Sequence, residues 1–204
     1  MEQKHILINI GRQFGAGGKG VAEILGERLN IPVYDNELLQ KAAEESGFNP
    51  ALFRRSDERR WLFRFGNLFG LNRASSYAPS AIDGTELFKY QSEAIRDIAQ
   101  QGSAIFLGRA SDYVLRDMEC LDVFICAPLA DRVKRVCERT GMTAEDAEKF
   151  ILKKEKARRD YYNFYTFGDW GVASNYDLCL DSSLVGLEGC VDIIVDFGRK
   201  SGLL

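Results

Sequence analysis

Residues 11–20 read GRQFGAGGKG, and they follow directly on the apolar run HILINI at residues 5–10. A buried strand thus runs into five glycines within ten residues. An amphipathic helix comes next, with Val21, Ile24, Leu25 and Leu29 on one face. Strand, glycine-rich turn and helix N-terminus together make an anion site. Glycines let backbone N–H groups point inward, and the helix dipole adds positive potential. A plain strand-to-helix turn rarely needs all of Gly11, Gly15, Gly17, Gly18 and Gly20. Spacing alone leaves two phosphate readings open. Gly15-x-Gly17-x-x-Gly20, with Asp35 placed as a ribose-binding acid, matches a dinucleotide fingerprint. Against it, Arg12, Gln13 and Phe14 lengthen the connection after Gly11, as in a loop that wraps a phosphate. The strict P-loop pattern G-x-x-x-x-G-K-[ST] is also absent. No glycine stands five before Gly18, and Gly20 replaces the magnesium-binding hydroxyl.

Outward from this stretch, apolar strands alternate with amphipathic helices. Strands are expected at residues 5–10, 33–34, 104–107, 121–126 and 178–180. Helices are expected at 20–29, from 36, at 85–101, from Pro128 in its first-turn position, after a Thr143 cap with Asp146 three residues on, and at 186–197. Such alternation implies right-handed crossovers and a mostly parallel five-stranded sheet covered on both faces, with ligands beyond the carboxyl ends of the strands.

The chain has 204 residues, enough for one domain with a small insert. A net charge of −3 does not favour nucleic acid as a partner. No apolar run is long enough to span a membrane. The start MEQKHILINI enters a strand almost at once, so no signal peptide is expected. Five cysteines without CxxC spacing read as reduced, and the expected location is cytoplasmic. The single histidine, His5, sits on the first strand and suits no catalytic pair. Residues 50–82 break the pattern. Arg54, Arg55, Arg59, Arg60 and Arg64 are mixed with Trp61, Phe63, Phe65 and Phe69. They read as a helical insert with a solvated arginine face over an apolar underside. Exposed Trp61 and Phe65 would also suit a homodimer.

The stretch INIGRQFGAGGKGVAEILGERLNIPVYDNELL resembles the opening of cytidylate kinases. It is closer still to the cytidylate kinase-like P-loop proteins, whose loop is one residue longer and reads G-R-x-[YF]-G-[SA]-G-G. The likeness continues in QSEAIRDIAQQGSAIFLGRASDYVL, VFICAPLADRVKRVCERTGMT, KKEKARRDYYNFYT and SNYDLCLDSSLVGLEGCVDII. It implies a three-layer α/β P-loop NTPase fold in a single domain over 1–204. The core would be 1–48, 83–150 and 173–204, with a helical nucleoside-monophosphate-type insert at 49–82 and a lid at 151–172.

The resemblance also implies roles. Gly15, Ala16, Gly17, Gly18, Lys19 and Gly20 would cradle the phosphates of ATP, although Lys19 lies one place beyond the usual lysine slot at Gly18. Asp35 would shape the acceptor site; its alternative is a helix N-cap. Lys41 falls where an arginine meets the acceptor phosphate. Arg109 matches the arginine of a GRD motif whose aspartate is replaced by Ala110, with Ser111 or Asp112 as substitutes. Arg158, Arg159 and Asp160, with Lys154 and Lys156, match the lid; their alternative is a charged solvated face. The arginines would neutralise charge on the moving phosphoryl group. The sequel YYNFYTFGDWG reads as a mobile aromatic loop. No residue is assigned to a metal, so Mg²⁺ would be held by phosphate oxygens and water.

The expected activity is transfer of the γ-phosphoryl of MgATP to a nucleoside monophosphate, with CMP or dCMP first. The alternative is a nucleotide- or anion-binding regulatory protein on a kinase fold, motivated by the displaced Lys19 and the missing hydroxyl and aspartate. A nicotinamide-dependent oxidoreductase is a third, disfavoured by the long connection after Gly11.

Overall fold

The computed structural model describes residues 5–36 and 84–204. Lys41 and the expected insert at 49–82 lie outside the described residues. The chain divides into two compact units, Met1–Asn36 with Ile95–Leu204, and Glu37–Ala94. The first carries the sheet and the candidate site.

In chain order the elements are β1 (Leu7–Arg12), α1 (Gly18–Leu29), β2 (Val33–Tyr34), α2 (Gly84–Gln101), β3 (Ala104–Leu107) and α3 (Ser111–Val114). They continue with β4 (Leu121–Cys126), α4 (Leu129–Thr140), α5 (Ala144–Thr166), β5 (Leu178–Asp181) and α6 (Ser182–Ser201). The five strands form one sheet in the order β2-β3-β1-β4-β5, with every neighbouring pair parallel. β1 therefore lies between β3 and β4. The loop that leaves its carboxyl end opens where the connections diverge to either side, which is where open α/β sheets bind ligands.

Alternation along the strands sends their side chains to two faces. Ile8 and Ile10 of β1, with Ile105, Leu107, Val123 and Ile125, pack against Val21 and Leu25 of α1 and Cys190, Val191 and Ile194 of α6. Phe124 faces the other way, 5.5 Å from the Trp170 ring and 4.9 Å from Tyr176 between centroids. A second cluster joins α4 to α5 through Val136, Ala147 and Ile151.

Several boundaries differ from the sequence expectation. β1 begins at Leu7, so His5 precedes it and its Nδ1 lies 3.3 Å from the Ala99 carbonyl. β1 also runs on through Gly11 and Arg12, because both pair with β4. Pro128 sits at the N-cap of α4 rather than in its first turn. α6 starts at Ser182 under an Asp181 cap, and its only non-helical residue is Gly186 at φ 70°. The segment expected as an aromatic loop is helix through Thr166. Tyr162 and Tyr165 are buried on α5, and that burial extends the helix until Phe167 turns left-handed at φ 55°. Thr143 caps α5 as expected, its Oγ1 accepting from the Asp146 N–H at 3.2 Å. All five cysteines are free thiols. Among the described residues no helix is long and apolar enough to cross a membrane.

Candidate phosphate-binding site

The glycine-rich loop is held from outside. At its base the Gln13 N–H donates to the Ile125 carbonyl at 2.9 Å, and the Ala127 N–H donates to Gln13 Oε1 at 3.1 Å. Gly15 and Gly17 have φ of 82° and 83°, a region that costs any other residue strain. A Cβ at Gly15 would also stand 3.1 Å from the Arg132 carbonyl. Two loop carbonyls are drawn away from the helix mouth. Arg132 Nη1 donates to the Phe14 carbonyl at 3.3 Å, and Ser182 Oγ donates to the Ala16 carbonyl at 2.6 Å. Ser182 is itself fixed by two hydrogen bonds from Arg135, at 2.8 and 3.1 Å. Arg132 is buried, donates through Nε to the Ala127 carbonyl at 2.8 Å, and pairs with buried Glu155 of α5 at 2.8 Å. That charge contact is off the N–H axis, so Glu155 Oε1 receives no aligned hydrogen bond.

With those carbonyls tied down, the N–H groups of Gly15, Gly17, Gly18, Lys19 and Gly20 donate to no described backbone carbonyl. α1 has no side-chain cap at Gly17 and no acid in its first turn. Its orphan donors and positive dipole end form the anion cradle that the glycines predict. The donor set fits a polyphosphate.

Cations gather beside it. Lys19 is exposed and directs Nζ to Asp35 Oδ2 at 3.3 Å, so these two sequence-selected residues meet each other. Arg158 turns from α5 toward the loop. Its Nη1 donates to the Arg12 carbonyl at 2.9 Å, and its guanidinium lies 5.3 Å from the Phe14 ring centroid. Burial pushes its pKa down to about 10, with Glu155 opposing and Arg109 adding to the fall. Arg109 lies 5.3 Å over the Tyr161 ring. Arg159 is exposed. Asp160 pairs with Lys156 at 3.3 Å. Arg109 and Arg158 are thus brought together near the loop, whereas Arg159 is not drawn into that contact.

The turn after β3 is strained. Gly108, Arg109 and Ala110 have φ of 76°, 61° and 53° in succession. Non-glycine residues hold that region at a cost of about 1–3 kcal/mol each, usually where function or packing over-determines it. One anchor is Asp112, whose carboxylate accepts from Tyr162 Oη of α5 at 2.6 Å. Burial pushes the Asp112 carboxyl up, and the Tyr162 bond partly offsets this.

A model of the cytidylate kinase-like family matches residues 7–184. The chain belongs to the cytidylate kinase-like family. Among curated members of similar sequence, a cytidylate kinase of Methanopyrus kandleri is 26% identical over 188 residues, covering 87% of this chain and 85% of that protein. A cytidylate kinase of Thermococcus kodakarensis is 30% identical over 99 residues, 48% of this chain and 50% of its own. Among solved structures, an uncharacterized protein from Eubacterium ventriosum superposes with a TM-score of 0.72 at 28% identity, covering 94% of this chain and 97% of that one. A shikimate kinase from Bacteroides thetaiotaomicron shares the fold at a TM-score of 0.54 and 13% identity, over 95% and 98% of the two chains. The P-loop kinase fold expected from the sequence is the one adopted.

Sequence reasoning gave no role to Arg12, Arg132, Arg135, Glu155 or Ser182. Arg132 carried a signal, because it falls in phase with Leu129 and Val136 on the buried side of α4, where a charge needs a partner. Arg12 stood inside the family's loop pattern but reads there as a spacer.

Proposed function

We propose that this chain is an ATP-dependent phosphotransferase that moves the γ-phosphoryl of MgATP to a nucleoside monophosphate, with CMP or dCMP the preferred acceptor. The observation that carries the reading is the cradle at residues 15–20, where the Phe14 and Ala16 carbonyls are tied outward while the N–H groups of Gly15, Gly17, Gly18, Lys19 and Gly20 and a positive helix end stay available. The names of its cytidylate kinase relatives support the pyrimidine acceptor. In this reading Gly15, Ala16, Gly17, Gly18, Lys19 and Gly20 hold the ATP phosphates, through each of their N–H groups except that of Ala16, which donates to the Gln13 carbonyl at 3.4 Å. Lys19, Arg158 and Arg159 meet charge on the transferring group, and Asp35, Lys41, Arg109 and Asp160 face the acceptor. Residues 49–82 serve as the acceptor-side insert and 151–172 as the lid. Positioning and charge neutralisation supply the rate, with no covalent intermediate. When bound, Mg²⁺ would screen the phosphate oxygens; with glycine at position 20, those oxygens and water would hold it. The cytoplasm is the compartment that suits five free thiols.

A coupled assay across nucleoside monophosphates tests this. ADP release is expected with CMP or dCMP and weaker release with purine acceptors. Release at background with every acceptor overturns the enzyme reading. The displaced Lys19, the missing loop hydroxyl and the aspartate replaced by Ala110 favour a second reading: an anion-binding regulatory protein on the same fold. Tight ATP binding by calorimetry without turnover would select it.

A further inference from the structure

The loop signature of phosphate-binding kinases places a lysine directly after its last glycine, where α1 begins. This chain has Gly18 there. The structure supplies a steric reason. A Cβ built on Gly18 would stand 2.6 Å from Arg12 Cβ and 2.9 Å from Arg12 Cγ. Arg12 Cβ is fixed by the backbone of β1 and cannot swing aside, so the Arg12 stem already fills the slot of a side chain at position 18. The Arg12 guanidinium then extends to the carboxyl end of β3, where a Cβ on Gly108 would collide with Arg12 Nη1. Two glycines therefore clear the course of one arginine, from the end of β1, past the start of α1, to the turn that carries Arg109.

The charges around Arg12 point the same way. Arg158 donates to the Arg12 main chain at 2.9 Å. Burial first, then Arg158 and Arg109, push the Arg12 pKa down to about 9, and Asp35 is the carboxylate that opposes the fall. Asp35 is shared with Lys19. Three arginines, from the end of β1, the turn after β3 and the middle of α5, thus repel one another beside the glycine-rich loop. An anion in the cradle relieves that repulsion, and a polyphosphate supplies the charge in one ligand.

We propose that Arg12 is this chain's phosphate-binding cation, standing in for the loop lysine by reaching the cradle from the end of β1. The assignment rests on the phosphate-site reading above. Arginine offers a planar fork to two phosphate oxygens, where lysine offers a point charge. Lys19 then keeps its exposed pairing with Asp35.

Calorimetric titration with ATP and with inorganic tripolyphosphate separates the possibilities, because it reads binding and not turnover. Arg12→Met keeps most of the stem and loses the charge; it is expected to weaken tripolyphosphate binding by about tenfold or more. Arg12→Lys is expected to fall between Arg12→Met and wild type. A relocation variant, Arg12→Gly with Gly18→Lys, opens the slot and restores the lysine. It is expected to bind tripolyphosphate at least about fivefold more tightly than Arg12→Gly alone. Thermal melts check that each variant folds, and the relocation pair keeps the test open if Arg12→Met does not. Arg12→Met binding within twofold of wild type overturns the assignment, as does a folded relocation variant that binds no better than Arg12→Gly. Either result leaves the kinase reading standing. Wild-type protein that binds neither ATP nor tripolyphosphate overturns the phosphate-site reading, and the role of Arg12 with it.

Discussion

Glu155→Gln is expected to unfold this protein at a markedly lower temperature, although the change is nearly isosteric. Glu155 and Arg132 are 8% and 5% exposed, and they meet at 2.8 Å between α5 and α4. Removing one partner of a buried pair costs about 3–5 kcal/mol, because the other charge is left without compensation. Arg132 keeps two carbonyl acceptors, Ala127 and Phe14, which places the loss near the low end, about 3 kcal/mol. For a chain of this size that is a drop in Tm of roughly 6–12 °C. Urea unfolding of Glu155→Gln in the wild-type and Arg132→Met backgrounds isolates the cause. In Arg132→Met the buried Glu155 carboxylate is itself left unpaired, so Glu155→Gln in that background removes an orphan charge and should be neutral or stabilising. Glu145→Gln breaks an exposed pair with Lys149 and serves as a control with little expected change. Equal losses from Glu155→Gln in both backgrounds would refute the buried-charge argument. Because Arg132 also holds the Phe14 carbonyl, the damaged variant should bind tripolyphosphate more weakly too.

Two further outcomes can be checked. Asp122 is pushed up to about 6 by burial, against a hydrogen bond from Asn9 Nδ2 at 2.7 Å that opposes the rise. Its folded pKa lies above the unfolded value, so its favourable contribution is complete below about pH 4 and is lost as pH rises through 6. Asp122→Asn keeps an acceptor for Asn9, so at pH 8 it should stabilise the fold by up to about 3 kcal/mol, and by little at pH 4. A gap between variant and wild type that stays constant across that range contradicts this. On α5, Arg158→Ala should lower turnover by about 10²–10³-fold and Arg159→Ala by less, since only Arg158 turns onto the loop. Steady-state kinetics with the best acceptor decides it, and a larger loss for Arg159→Ala would count against the geometry.

The fold was legible because its signals are local. Residues 33–34, 104–107 and 121–126 are strands as read, since short apolar runs between polar turns have few other ways to bury themselves. Thr143 and Asp146 announced the start of α5 in four residues. The end of that helix was not legible. Tyr162 and Tyr165 look like loop aromatics until the fold buries both and Asp112 accepts from Tyr162. The start of α1 at Gly18 was also missed, because glycine is a poor helix former and only the chain's path around Arg12 requires it there.

Sequence alone determined that a glycine-rich turn with a free helix N-terminus follows the first strand, because glycine content and helix polarity are properties of consecutive residues. Tertiary structure decided which cations lie beside that turn. Arg12, Arg109 and Arg158 are far apart in the chain and meet only because parallel pairing brings the carboxyl ends of β1 and β3 side by side under α5. It also decided that position 18 has no room for lysine. That exclusion is a contact between a strand end and a helix start, which spacing along the chain does not reveal.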